Sequence, residues 1–371
     1  MIIGIPKEIK QDEYRVGAVP AGVRMLAAHG HKVMVEEGAG AGSSIGDEEY
    51  VRAGAEIVTS AEEVYGRADM IVKVKEPQSV ESKLLREGQI LYAYLHLAAA
   101  EELAAALIAR KVTCVAYETI QLTDGSLPLL TPMSEVAGRM SVQVGARFLE
   151  RTQGGRGILL GGVPGVSRGR VAVIGAGTVG RAATKIAVGL GAEVHLLDVD
   201  QRRLMYMDDV FGSRITTLMS NYDNLFSSIA NAHLVIGGVL IPGARAPHLV
   251  DKEMVGAMKP GTVIVDVAID QGGCVETSKP TTHHDPVFTV DDVIHYCVTN
   301  MPGAVARTST FALTNVTLPY ALKLADQGFR DAVLSDPALA QGVNIMAGAV
   351  THKNVAEALG RPYVPLAEAL S

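Results

Sequence analysis

Residues 170–200 read RVAVIGAGTVGRAATKIAVGLGAEVHLLDVD, and this stretch limits the possible folds more than any other. It opens on an apolar, β-branched run that leads straight into Gly175, Gly177 and Gly180, spaced G-x-G-x-x-G. Val179, Ala182, Ala183, Ile186, Ala187 and Leu190 then recur at helical spacing, and a second apolar run ends in Asp198. A strand–turn–helix–strand unit of this kind, with an acid about 20 residues on, suits a dinucleotide. Gly175 permits the tight turn, Gly177 removes a side chain that would hold a pyrophosphate off the backbone, and Gly180 lets helix and strand pack closely. The helix N-terminus offers N–H groups and a positive dipole end to the phosphates. Asp198 can accept from both adenosine ribose hydroxyls and repels a 2′-phosphate, which favours NAD over NADP. Arg202 and Arg203 follow and are read as helix residues flanking the adenine.

The same βα rhythm runs through most of the 371 residues. Strands are expected at 2–5, 31–37, 69–75, 89–95 and 112–118, with helix-like stretches between them, which implies parallel sheets covered by helices. The rhythm breaks over 125–169, where a helix is expected from about Ser134 to Glu150. A Gly-rich stretch suited to a hairpin, GGRGILLGGVPGV, follows it. A second βα series starts at Val171. Residues 308–326 are helical and fit neither series, so a return to the first domain is the economical reading. The expected organisation is α/β, with two Rossmann-like doubly wound parallel-sheet domains and a cleft between them. One comprises 1–128 and 307–371, the other 129–306.

Composition removes several classes of function. The net charge of −7 is mild, basic residues are scattered and aromatics are few, so no nucleic-acid surface is expected. No apolar stretch reaches the 18 residues of a membrane span. The opening MIIGIPKEIK reads as strand and turn rather than as a leader. Cys114, Cys274 and Cys297 lack metal or redox spacing and fit a cytoplasmic protein with reduced thiols. EEGAGAGSSIGDEEY (36–50) also follows a strand, but its glycines miss the spacing and its acids would repel phosphate. GGRGILLGG lacks the Lys-Ser/Thr of a nucleotide-triphosphate loop.

In an open parallel sheet the ligand lies over the carboxyl ends of the strands. In the second domain these ends are Val239–Leu240, Asp270, and Asn300–Met301, which are expected to line the nicotinamide half. Asp270 is read as the carboxylate ending a long apolar strand, a candidate proton partner or ribose anchor. In the first domain, Pro77 stops the run DMIVKVK and leaves Lys75 at its carboxyl end, while QILYAYL ends at His96. Arg15 lies in the loop after the first strand. A lysine in such a place wants an anion, and arginine is the bidentate partner of a carboxylate. Arg15, Lys75 and His96 thus read as clamp, polariser and titratable acid/base on one rim. Lys73 reads as solvated or paired with a glutamate.

The segments GIPKE, YRVGAVPAGV, VKVKEP, YLHLAA, AYET, PLLTPMSEVAGR, GGRGILLGGVPGV, VIGAGTVG, DVAIDQGGC, PTTHHDP and NMPGAV resemble the signature segments of the alanine dehydrogenase family, in order and over nearly the whole chain. The resemblance implies a reversible, NAD-dependent oxidative deamination of L-alanine to pyruvate and ammonia, and self-association, commonly as a homohexamer. It also implies that the substrate domain is built from both parts of the divided chain. It places substrate binding on Arg15 and Lys75 and proton transfer on His96 and Asp270. It places cofactor contacts on Ser134, Gly177, Thr178, Val179, Asp198, Arg203, Ser220, Val239, Leu240, Val267, Ala268, Ile269, Asp270, Val298, Thr299, Asn300 and Met301, beside Gly175 and Gly180 from the motif. Tyr14 and Lys279 depart from the family's usual residues. Lys323 and Gln327 stand where some relatives hold a metal, so no metal is expected, and His283, His284 and Asp285 read as an exposed loop. Two other readings are the NAD-binding part of a proton-translocating transhydrogenase and a non-catalytic NAD-sensing protein.

Overall fold

The computed structural model describes residues 1–239 and 247–371. The chain divides into two compact units, Met1–Met133 with Gly303–Ser371, and Ser134–Pro302.

The first unit begins with six parallel strands: β1 (Ile2–Ile5), β2 (Lys32–Glu36), β3 (Glu56–Val58), β4 (Met70–Val72), β5 (Ile90–Ala93) and β6 (Thr113–Ala116). Their spatial order is β3-β2-β1-β4-β5-β6, so the winding direction reverses between β1 and β4. Register is continuous across that reversal, with Ile3 opposite both Val33 and Met70. The strands are shorter than the apolar runs that encode them, because Lys73 and Leu95 already belong to the loops at their carboxyl ends. Pro20 starts the helix Pro20–Ala28 at a position where its missing N–H costs nothing. Leu91, Ala93, Cys114 and Ala116 pack with Leu107 and Val355 in a core closed to solvent.

The second unit holds β7 (Arg170–Ile174), β8 (Glu193–Asp198), β9 (Ile215–Met219), β10 (Leu234–Gly237), β11 (Val263–Asp266), β12 (Val287–Val290) and β13 (Val293–Tyr296). Their order is β12-β13-β11-β10-β7-β8-β9, reversing between β7 and β10, and only β12 runs antiparallel. The expected hairpin after residue 155 is reduced to a tight turn with one antiparallel bridge, Val163 to Val166.

The late part of the chain returns to the first unit. Helix Ala306–Gln327 is followed by β14 (Val343–Met346) and β15 (Ala349–Val350), which extend the first sheet antiparallel beyond β6. Among the described residues no helix is long and apolar enough to cross a membrane.

Candidate active site

In the first unit, Arg15, Lys75 and His96 all lie past the carboxyl ends of neighbouring strands, β1, β4 and β5. Parallel winding forces this: each strand leaves the sheet at the same edge. Arg15 is 2% exposed, and Glu13 receives its Nε and Nη2 at 2.6 Å each, a bidentate pair. Its Nη1 lies 3.0 Å from the Met133 sulfur. Burial alone would push protons off the guanidinium, but the Glu13 carboxylate more than offsets this and holds it charged.

Lys73 proves to be the glutamate-paired lysine, with no solvent exposure at all. Its Nζ donates to Glu81 at 2.7 Å and to Glu8 at 3.1 Å. Glu8 also accepts from the backbone N–H of Val74 at 2.7 Å and of Lys75 at 3.4 Å. A buried ion cluster therefore fixes the loop that carries Lys75, which is itself half-buried. Burial raises the Glu8 carboxyl above its ordinary range, with Lys73 pulling the other way.

His96 is exposed, and its backbone is left-handed, at φ 49° and ψ 36°. That conformation costs an L-residue about 1–2 kcal/mol. Glu118 compensates: it accepts the His96 N–H at 2.6 Å and the Leu95 N–H at 3.2 Å on each oxygen. The Tyr94 ring lies parallel to the imidazole, at 7° and 6.0 Å between centroids.

In the second unit the glycine turn follows β7. Gly175 has φ +97°, and a Cβ on Gly180 would lie 1.7 Å from the Gly175 carbonyl oxygen, so neither position tolerates a side chain. At Gly177 a Cβ would meet no protein atom within 4 Å. That position faces open space at the N-terminus of helix Thr178–Gly189, where no side chain caps the helix. Asp198 ends β8 almost fully buried, accepting the N–H of Ala176 at 2.5 Å and of Asp200 at 2.7 Å. Arg203, on the helix Gln201–Phe211, approaches it at 3.7 Å. A depression of about 480 Å³ lies here, lined by Gly177, Thr178, Arg181, Arg202, Arg203 and Tyr206 among others. Ser220 follows β9, and its buried Oγ finds no hydrogen-bond partner among the described residues. An open helix end, a buried acid and an orphan hydroxyl along consecutive strand ends fit a dinucleotide.

The other expected cofactor residues follow the same edge. Val239 lies two residues past β10, and Val298, Thr299, Asn300 and Met301 follow β13. Val179 lies in the first turn of the glycine-loop helix, and Ser134 in helix Thr131–Phe148. Leu240 lies outside the described residues. One expectation is corrected. Val267, Ala268, Ile269 and Asp270 are not strand: β11 ends at Asp266, and Val267–Gln271 is a 3-10 turn. Asp270 is exposed rather than partly dry, and the carboxylate that ends the apolar strand is Asp266. Asp266 turns the chain by accepting the Ala268 N–H at 3.1 Å, and it also takes the Cys274 and Val275 N–H groups and the Ser278 hydroxyl. Sequence reading also missed Glu13, which pairs with the Arg15 side chain, Glu8 and Glu118, which accept backbone N–H groups of the loops carrying Lys75 and His96, and Glu81, which pairs with Lys73.

The fold and the glycine turn are those of the doubly wound, Rossmann-like class, whose glycine turn suits a dinucleotide. Family models for the N- and C-terminal domains of alanine dehydrogenase/PNT match residues 4–137 and 141–353. The chain is 58% identical over 372 residues to an alanine dehydrogenase of Methanococcus maripaludis, covering all of both chains. Among solved structures it is similar to an L-alanine dehydrogenase at TM-score 0.95 and 53% identity, covering 97% of this chain and 99% of that one. It is also similar to a transhydrogenase from Sinorhizobium meliloti, at TM-score 0.81 and 29% identity, covering 95% and 99%. The chain belongs to the alanine dehydrogenase family.

Proposed function

We propose that this chain catalyses the reversible, NAD-dependent oxidative deamination of L-alanine to pyruvate and ammonia. The observation that carries this reading is the grouping of Arg15, Lys75 and His96 past three neighbouring strand ends of a sheet, in loops that Glu13, Glu8 and Glu118 tie down. Identity to relatives named alanine dehydrogenase is about twice that to the transhydrogenase, which places the transhydrogenase reading second.

In this reading Arg15 and Lys75 take the alanine carboxylate, one as a fork and the other as a point charge. When bound, NAD would supply the hydride acceptor for the substrate Cα. Ser134, the turn from Gly175 to Gly180, Asp198, Arg203 and Ser220 would hold its adenosine and phosphate half. Val239, residues 267–270 and residues 298–301 would hold the nicotinamide half. His96 takes a proton from the water that adds to the resulting imine carbon and returns one as ammonia leaves. Lys75 then polarises the new carbonyl. Exposed on its turn, Asp270 serves as a second proton partner or as an anchor for the ribose. Only a neutral amine gives up the hydride, so deamination favours alkaline pH. We extend to the chain the homohexameric assembly and cytoplasmic location expected of the family.

The test is NADH formation from NAD and L-alanine, followed by absorbance and repeated with NADP and with other amino acids. Tight NADH binding without alanine- or pyruvate-dependent turnover would overturn the reading in favour of an NAD-sensing protein.

A further inference from the structure

We propose that Glu118 is the positioning residue for His96, a role that rests on the reading of His96 as the proton-transfer group. His96 needs such a residue because its backbone is left-handed, a conformation that a non-glycine residue keeps only when its surroundings over-determine it. Glu118 supplies the constraint. Two successive N–H groups, of Leu95 and His96, converge on its carboxylate, and the His96 bond at 2.6 Å is short, as expected for an anionic acceptor. An anion suits this place better than an amide, which would offer one acceptor oxygen and turn an N–H₂ toward a donor.

The carboxylate reaches His96 because of where the sheet puts it. Glu118 lies in the turn Tyr117–Thr119 directly after β6, and β6 is the parallel neighbour of β5, which ends just before His96. The turn is itself anchored. The Thr119 hydroxyl donates to Asn344 Oδ1 on β14 at 2.8 Å, and the Ala116 N–H donates to the Gly342 carbonyl at 2.7 Å. His352, past β15, and Tyr94 are titratable groups that face Glu118. The chain thus fixes His96 from two sides: Glu118 sets its backbone and the parallel Tyr94 ring lies alongside its imidazole. Without the carboxylate, two N–H groups lose their acceptor, φ returns to the negative region and the ring leaves its place.

The experiment compares wild type, His96→Ala, Glu118→Gln and the double variant, with Glu118→Asp as a milder change run in parallel. Circular dichroism and thermal unfolding confirm that each is folded. Glu118→Gln is expected to lower kcat by about 10- to 100-fold, the cost of a displaced reacting group, with NADH affinity unchanged. In the His96→Ala background the same substitution, or Glu118→Asp if the amide variant does not fold, is expected to cause no further loss, because the two residues act as a unit. Wild-type kcat in Glu118→Gln, or an equal loss in both backgrounds, would overturn the proposal. Near-normal turnover in His96→Ala alone would instead overturn the reading of His96, and the single variant reveals that before the cycle is closed.

Discussion

Glu13 and Arg15 are joined by two hydrogen bonds of 2.6 Å, one to each carboxylate oxygen, with both side chains shut away from solvent. The guanidinium is therefore held in a fixed orientation before any substrate arrives. Glu13→Gln leaves only one acceptor oxygen for two N–H groups. We expect KM for L-alanine to rise about tenfold, equivalent to ~1.4 kcal/mol of lost binding, with kcat little changed. Steady-state kinetics at saturating NAD checks this, and an unchanged KM would show that the fork is held by other means.

Lys73 is the cation of a buried three-residue cluster. Lys73→Met would leave Glu8 and Glu81 facing each other without a counter-charge, and breaking such a cluster costs about 3–5 kcal/mol. Urea unfolding should show a midpoint lowered accordingly. The surviving protein should also bind L-alanine more weakly, since Glu8 holds the Val74 and Lys75 N–H groups.

Two glycines of the same turn make opposite predictions. Gly180→Ala drives a methyl group into the Gly175 carbonyl, so the turn must deform and thermal stability must fall. Gly177→Ala adds the same methyl group where no protein atom lies within 4 Å. It should leave the melting temperature unchanged yet weaken NADH binding by about tenfold or more, ~1.4 kcal/mol. Unchanged NADH affinity in Gly177→Ala would place the pyrophosphate elsewhere.

His295 gives a pH dependence of stability. Its ring has no solvent exposure; Nδ1 donates to the Val293 carbonyl at 3.0 Å and Nε2 accepts from Thr277 at 2.8 Å, the pattern of a neutral imidazole. Burial pushes its pKa below the ordinary 6.5. The unfolded chain therefore takes up a proton first on acidification, and stability is lost as pH falls from 6.5 toward the folded value. The slope reaches at most ~1.4 kcal/mol per pH unit for this group. His295→Phe should flatten that part of the profile of urea midpoint against pH; an unaltered slope would assign the proton uptake to other histidines.

Much of this was legible in the chain itself. G-x-G-x-x-G with its flanking runs and distant acid marks β7, its helix and β8, because each glycine answers a separate steric demand. Lys75 and His96 were legible because parallel strands deliver their carboxyl ends to one edge. The supporting acids were not. Glu118 lies 22 residues from the N–H it accepts and Glu8 lies 66 residues from Val74, and no local pattern signals contacts across strands. Asp266 was hidden inside an apolar run, VIVDVAI, which reads as continuous strand. The signal available was the aspartate itself, whose short side chain can accept the N–H two residues on and stop the strand. Strand β14 is as long as β1, but its run VNIM is broken by Asn344 and belongs to no βα rhythm, and β15 has only two residues.

The first sheet borrows β14 from more than two hundred residues downstream, and Asn344 on that strand steadies the turn bearing Glu118. During synthesis, then, β6 stands as an open edge while the whole of the glycine-loop unit is translated, and pairing must wait for the ribosome to deliver residue 343. A nascent chain stalled before that point would carry a nearly finished sheet with β6 still unpaired on its outer side and a histidine not yet locked, so competence for catalysis should switch on only after residue 343 has been made.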